Sequence, residues 1–390
     1  MQLGLDRLLT HDKILLKGKR IGILGHQASA SGRGKPILDL MLAEKSWKVT
    51  TLFGPEHGFG TAAQDMEPVE SGRHGPTGLP IYSLYGHTEA ALKPTPAMLE
   101  NSDVLVVDLQ DIGSRYYTYI WTLSLCLQAA AKLEKKVIVC DRPNPINGVD
   151  VEGLPNQPGF TSFVGLYPLP VRHGMTIGEL AQYLNTTHQF GCDLQVIPME
   201  GWRREWHWEE TQLKWVNPSP NMRSPAQALL YPGMCLLEAT NVSEGRGTDR
   251  PFEIAGAPWI DSKKLIEQLE ALQLPGIRFE AVQFVPSRQK WVDQRCRGVR
   301  FIVINRNNFR PYLTGVALLW ALHQLFAGAG FGWRKEAYEF VADIPAIDLL
   351  AGNAMVREMI ESAAPFEKLS EKICITPREF LRHRKPFLLY

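Results

Sequence analysis

The stretch "DVLVVDLQD" (103–111) decides the fold of this chain. Val104, Leu105, Val106 and Val107 stand in a row between two aspartates. A strand wetted on one face alternates apolar and polar residues. An unbroken apolar run needs cover on both faces, as in the middle of a parallel sheet. The neighbouring segments extend this pattern. "KRIGILGHQAS" (19–29) is a short apolar run leading into a loop, and "PILDLMLAE" (36–44) follows with helical spacing and Pro near its first turn. "WKVTTLFG" (47–54) is β-branched and aromatic, which suits a strand. A long helix is expected from about 116 to 134, followed by the strand "KKVIVCDRP" (135–143). Strand, helix, strand, helix, strand reads as a parallel α/β sheet. "SFVG" (162–165) and "LQVIPM" (194–199) are read as further strands, with the helix "TIGELAQYLN" (176–185) between them.

The rhythm changes after "NPSPNMRSP" (217–225), a Pro/Ser/Asn-rich stretch that suits a linker or a cleft loop. Beyond it come the helix "SKKLIEQLEAL" (262–272) and the strands "IRFEAVQFVP" (277–286) and "RGVRFIVINR" (297–306). The helices "GVALLWALHQLF" (315–326) and "AMVREMIESAA" (354–364) complete an α+β order. The expected division is an α/β domain over 1–225 and a smaller α+β domain over 226–390, which closes a cleft between them.

Composition narrows the class. With 390 residues, 45% apolar and 21% charged, the chain can build a substantial globular core. A formal net charge of +1 lacks the electrostatic footprint of a nucleic-acid binder. No apolar run is long enough to span a membrane. The start, "MQLGLDRLLTHDK", has no apolar core or small-residue cleavage site, so a cytoplasmic protein is expected; a trimmed leader would instead imply a periplasmic or secreted one. Cys126, Cys140, Cys192, Cys235, Cys296 and Cys374 are scattered without CxxC pairs, and are read as reduced core residues.

In an open parallel sheet, ligands bind beyond the carboxyl ends of the strands. Three strand ends here carry polar, restricted loops: Glu56-His57 in "FGPEHGFG", Asp108 and Asp111 in "DLQDIGSRYYTY", and Asp141, Arg142 and Asn144 in "CDRPNP". Their convergence favours a site. "GILGHQASASGRGK" lacks the GxGxxG spacing of a dinucleotide fold, and Pro36 after Lys35 breaks a P-loop. No GxSxG elbow is present, and His26, His57 and His173 each stand alone, so no metal or other cofactor is expected. What remains is carboxylate with Arg, Tyr and Asn around it, the equipment of a glycosidase.

Several of these residues also have structural readings. Asp108 lies inside a strand pattern. Asp111 and Arg115 begin a helix, where the dipole favours an acid anyway. Tyr116 suits either sugar stacking or packing on the sheet. Thr176 and Glu179 after His173 have capping-box spacing. Trp202, Trp206 and Trp208 are either a sugar platform or an amphipathic surface. Glu244, Arg246 and Thr248 alternate with glycines in "NVSEGRGTDRPFE" (241–253), where backbone can approach a ligand.

The segments "LFGPEHGFG", "TGLPIYSLYG", "DLQDIGSRYYTYIWTL", "DRPNPING", "SFVG", "PVRHGMTIGELA", "NPSPNM" and "SEGRGTDRPFE" together resemble the exo-β-N-acetylmuramidase NamZ family, in order, over most of the chain to about 260. The resemblance implies a Rossmann-like domain without nucleotide, a smaller second domain, and removal of N-acetylmuramic acid (MurNAc) from the non-reducing end of peptidoglycan fragments. It makes Glu56 the leading catalytic residue. The residues themselves then offer His57 in support and Glu244 or Asp111 as the second carboxylate. Arg115, Arg142 and Arg246 are the candidates for the lactyl carboxylate that distinguishes MurNAc from N-acetylglucosamine (GlcNAc). Tyr116, Asp141, Asn144, His173, Ser219, Asn221 and Thr248 complete the expected substrate contacts. The expected roles put the proton donor at Glu56; nucleophilic, water-activating and substrate-assisted roles for the partner stay open. Two rivals stand beside this reading. One is a metal-dependent hydrolase acting on acyl groups of the same sugar, through His26, His57 and His173. The other is a muropeptide-binding module without catalysis.

Overall fold

The computed structural model describes residues 1–390. Its strands are β1 (Arg20–Gly25), β2 (Lys48–Gly54), β3 (Gly72–Arg73), β4 (Pro80–Ser83), β5 (Val104–Asp108), β6 (Lys136–Cys140), β7 (Leu194–Ile197), β8 (Ile254–Ala257), β9 (Ile277–Phe284) and β10 (Cys296–Val303). The first seven form one sheet in the order β3-β4-β2-β1-β5-β6-β7, parallel except for the short edge strand β3. The last three form a small antiparallel sheet, β8-β10-β9.

The apolar run Val104–Val107 forms β5 with Asp108 and is buried at every position. Val104 and Val106 face a core built with Leu5, Leu8, Ile37 and Met41, while Leu105 and Val107 face the opposite core with Ile120, Leu123 and Leu127. Two-sided cover explains the absence of alternation. Each such side chain contributes about 1.5–3 kcal/mol on burial, so a charge at Val106 would break the sheet. The larger of the two cores continues through Leu230, Leu236, Leu319 and Leu350 to Phe380, so both halves of the chain share one apolar interior. Within it the helices Pro225–Met234 and Pro311–Phe326 meet at Gly233 and Gly315, where a Cβ on Gly315 would lie 2.6 Å from the Gly233 Cα.

Helix Tyr119–Lys132 and helix Ile177–Thr187 occupy the expected positions. "SFVG" does not become a strand: Ser162 and Gly165 form a single bridge that closes a turn. Strands β3, β4 and β8 escape the sequence reading because they are too short, or too poor in β-branched residues, to show a period. No helix is long and apolar enough to cross a membrane.

Candidate active site

The parallel sheet sets the site's position. Strand β1 is paired with β2 on one side and β5 on the other, so the connections leave in opposite directions and a crevice opens beyond their carboxyl ends. Strand β2 delivers Pro55, Glu56, His57 and Gly58 into this crevice in a turn closed by the Gly58 N–H donating to Pro55 O at 2.9 Å. His57 and Gly58 have φ values of 70° and 79°. A positive φ is unusual for a non-glycine residue, and it persists only where surrounding structure enforces it. Part of that enforcement is the His57 ring, whose Nδ1 lies 2.9 Å from Ala63 O.

Glu56 is 5% exposed. The Thr118 hydroxyl donates to its Oε2 at 2.6 Å and the Met66 N–H to its Oε1 at 3.2 Å. Thr118 is the N-cap of helix Tyr119–Lys132, so this carboxylate sits at the positive end of that helix. Around it closes a slot of about 30 Å³, room for a water or two. His57, Tyr116, Ser219, Asn221 and Arg246 share its walls. The slot abuts a wider chamber of about 340 Å³, whose lining includes Glu244, Lys290 and Arg334.

Three acidic wall residues had no signal at the level of motifs: Asp65, Glu238 and Glu339. A lone acid in the apolar run "MCLLEATNV" was the one available clue to Glu238. Its Oε2 accepts the Tyr338 hydroxyl at 2.7 Å. Glu339 takes a hydroxyl from Tyr85 at 3.2 Å, across the cleft. Arg246 ties the acids together, 2.6 Å from Asp65, 2.9 Å from Glu238 and 3.3 Å from Glu244. Burial works against the Arg246 charge, and these three carboxylates more than offset it, holding its pKa well above the ordinary value. Its Nε remains buried without a partner.

Models of the exo-β-N-acetylmuramidase NamZ N-terminal and C-terminal regions match residues 21–226 and 229–390. The chain belongs to the NamZ family. It is 41% identical over 390 residues to the peptidoglycan β-N-acetylmuramidase NamZ of Bacillus subtilis strain 168, covering 100% of this chain and 91% of that protein. Crystal structures of two DUF1343-family proteins from Bacteroides fragilis NCTC 9343 superpose with TM-scores of 0.88 and 0.74, at 30% and 28% identity. Both alignments cover 100% of this chain and 98% of the other.

Within this NamZ fold, Glu56, His57, Tyr116, Ser219, Asn221 and Arg246 come together at the slot. The other expected contacts do not. Glu244 lies in the outer chamber, bound to Lys290 at 2.9 Å as well as Arg246; burial opposes its charge, but these two cations hold it below the usual carboxylate range. Asp111 is buried 3.4 Å from His173 and accepts the Gly113 N–H at 2.7 Å, making a strut under the crevice. Arg115 is fully buried and spends its guanidinium on the carbonyls of Leu154, Leu169 and Leu350. Arg142 forms a two-pronged pair with Asp108, at 2.5 and 2.7 Å, and donates to Ala30 O at 2.6 Å. Asn144 donates to Met175 O and accepts from the Ile146 N–H, holding a loop. Thr248 closes its own turn by donating to Gly245 O at 2.6 Å. Gly247, at φ 78°, admits backbone from its own chain rather than ligand: a Cβ there would lie 2.6 Å from the Arg288 nitrogen. Trp202 packs edge-on to Tyr390 and Trp208 to Trp215, so neither is a sugar platform at the slot. His26 Nε2 accepts the Gln110 N–H, and no three His, Cys, Asp or Glu side chains converge as a metal-ligand set.

Asp141 is the most fully committed of the displaced candidates. It accepts from the Gly178 and Arg142 N–H groups at 2.7 and 3.0 Å, the Thr176 hydroxyl at 2.8 Å and the Tyr390 hydroxyl at 2.5 Å. Tyr390 in turn accepts the Met199 N–H at 2.7 Å. Tyr390→Phe removes both bonds and leaves Asp141 short of a donor, which is expected to cost about 1–3 kcal/mol. A fall in the urea midpoint with unaltered catalysis is the result anticipated; an unmoved midpoint would contradict it.

Proposed function

We propose that this protein is an exo-acting β-N-acetylmuramidase, which hydrolyses the bond after a non-reducing-end MurNAc in peptidoglycan fragments such as MurNAc-GlcNAc. One observation carries the reading: a buried carboxylate, Glu56, held on a strained turn at the sheet's switch point, with further carboxyl groups and a guanidinium on the same walls. Glycoside hydrolysis needs one carboxyl to protonate the leaving oxygen and another to meet the oxocarbenium-like charge at C1. The NamZ relative's activity on peptidoglycan supplies the sugar.

Of the three arginines weighed for the lactyl carboxylate, Arg246 alone lines the slot, and its unpartnered Nε supports that role. Asn221 donates to Gln64 at 2.9 Å and Gln289 donates to Asp65, so the loop after His57 is fastened across the mouth. The Asp65–Arg246 pair, 2.6 Å apart, stands where the slot meets the outer chamber and parts as the sugar enters. The substrate carboxylate then takes the place of Asp65 on the guanidinium.

The test is direct. Incubation with MurNAc-GlcNAc should yield free MurNAc and GlcNAc, whereas GlcNAc-GlcNAc, lacking the lactyl group, should be cleaved at least about a hundredfold more slowly. Absence of free MurNAc would sink the proposal, and zinc-dependent release of acyl groups instead would favour the metal-dependent rival.

A further inference from the structure

We propose that Glu339 is the proton donor of this site and that Glu56 is the carboxylate that meets the positive charge at C1, the reverse of the role the sequence suggests for Glu56. The assignment rests on the glycosidase reading above and divides its labour.

The two carboxyl groups line one slot but are built differently. Glu56 accepts donors on both oxygens, from Thr118 and from the Met66 backbone, at a helix N-terminus. That arrangement suits a group that acts as an anion. Glu339 is 5% exposed and makes one hydrogen bond, from the Tyr85 hydroxyl to Oε2. Its Oε1 has no protein partner and no cation is paired with it. Val164, Met222, Tyr231, Phe252 and Tyr338 supply apolar wall around the same slot.

The backbone under Glu339 is as unusual as that under His57. Tyr338 and Val341 exchange backbone hydrogen bonds at 2.9 and 3.0 Å, leaving Glu339 and Phe340 as the two central residues of a tight turn. Their φ values are 47° and 67°. A turn positive at both centres normally takes Asn-Gly or Gly-Gly. Glu-Phe in that place is held there by the fold, with the carboxyl turned into the cleft.

Electrostatics agree with the geometry. Burial, then the negative charge of Glu56 and of Glu238, push the Glu339 carboxyl well above the usual range; the Tyr85 bond works the other way, and Asp65 adds to the rise. Two carboxyls whose surroundings separate their proton affinities are the usual basis for an acid and an anion in one site.

The step balances as follows. The C1–O bond breaks with its electron pair left on the departing oxygen, and that oxygen takes the Glu339 proton. Glu56 stabilises the charge at C1. Water then adds its oxygen to C1 and returns one proton to the ionised Glu339, restoring both groups.

An aryl β-MurNAc glycoside with 4-nitrophenol as leaving group needs little protonation, whereas MurNAc-GlcNAc depends on it. Glu339→Gln should therefore slow the disaccharide by roughly 100- to 10,000-fold and the aryl glycoside by less than about tenfold, while Glu56→Gln slows both. The alkaline limb of the disaccharide pH profile should disappear in Glu339→Gln. Tyr85→Phe, which keeps the acid but removes its one bond, should move that limb to higher pH. Equal losses on both substrates, an undiminished disaccharide rate, or an unmoved limb in Tyr85→Phe would overturn the assignment. If the wild type cleaves neither substrate, the glycosidase reading itself has failed; if it cleaves both, only the division between Glu339 and Glu56 is at stake.

Discussion

Glu56→Gln is expected to reduce release of MurNAc by at least about a thousandfold while leaving the protein folded. The substitution preserves shape. The Thr118 hydroxyl can still meet an amide oxygen, and the Met66 N–H is the contact that suffers, at a cost of about 1–3 kcal/mol. What disappears is the negative charge. An oxocarbenium-like transition state needs a fixed anion beside C1, and such preorganised charge in a dry slot is usually the largest catalytic contribution. The check compares turnover of MurNAc-GlcNAc with the thermal unfolding of the same preparation. Substantial turnover by a folded variant would remove Glu56 from the chemistry, despite its position.

The second large effect concerns stability. Arg115→Ala is expected to destabilise the protein by at least about 3 kcal/mol. No acid faces this guanidinium; it is anchored by Leu154 O at 3.0 Å, Leu169 O at 2.8 Å and Leu350 O. Burial draws its pKa down from the ordinary value, so the carbonyls are what make its charge tolerable. Truncation strands three acceptors drawn from both halves of the chain and opens a void. Arg115→Lys should recover only part of the loss, because an ammonium cannot copy the planar fork. Urea denaturation followed by far-UV circular dichroism provides the measurement, with KM on MurNAc-GlcNAc as its companion. A raised KM at unchanged stability would return Arg115 to the binding site.

Glu56 and Arg115 mark what sequence reading reaches and what it does not: the first lines the slot, whereas the second, expected at the substrate, is spent on backbone carbonyls. Apolar runs without alternation place β1, β5 and β6 inside a covered sheet, and strand-end loops point to the crevice because parallel topology allows few alternatives. Glu56 was legible because a Pro-Gly frame is a poor place for a surface acid. Asp141, Arg142 and Asn144 carry the same signature for another reason: a strand end in such a sheet must also cap helices and brace its neighbours. Polar identity alone does not separate those duties. Glu339 lay beyond reach, since its turn uses residues that no turn rule favours and its partners come from residues 56 and 85, far away in the chain. Long-range burial, not local pattern, brings it to the slot.

The Tyr390 hydroxyl and the Leu389 N–H reach back to Asp141 and Glu179, at the carboxyl end of β6 and the start of helix Ile177–Thr187. On a ribosome, the parallel sheet emerges with all its strands more than a hundred residues before these two arrive. Until then Asp141 lacks one of its four donors. The sheet's strands are thus made early, but two of the bonds that brace its β6 end come from Leu389 and Tyr390, made much later. A chain stalled short of residue 389 would hold its sheet without the Leu389–Glu179 and Tyr390–Asp141 bonds.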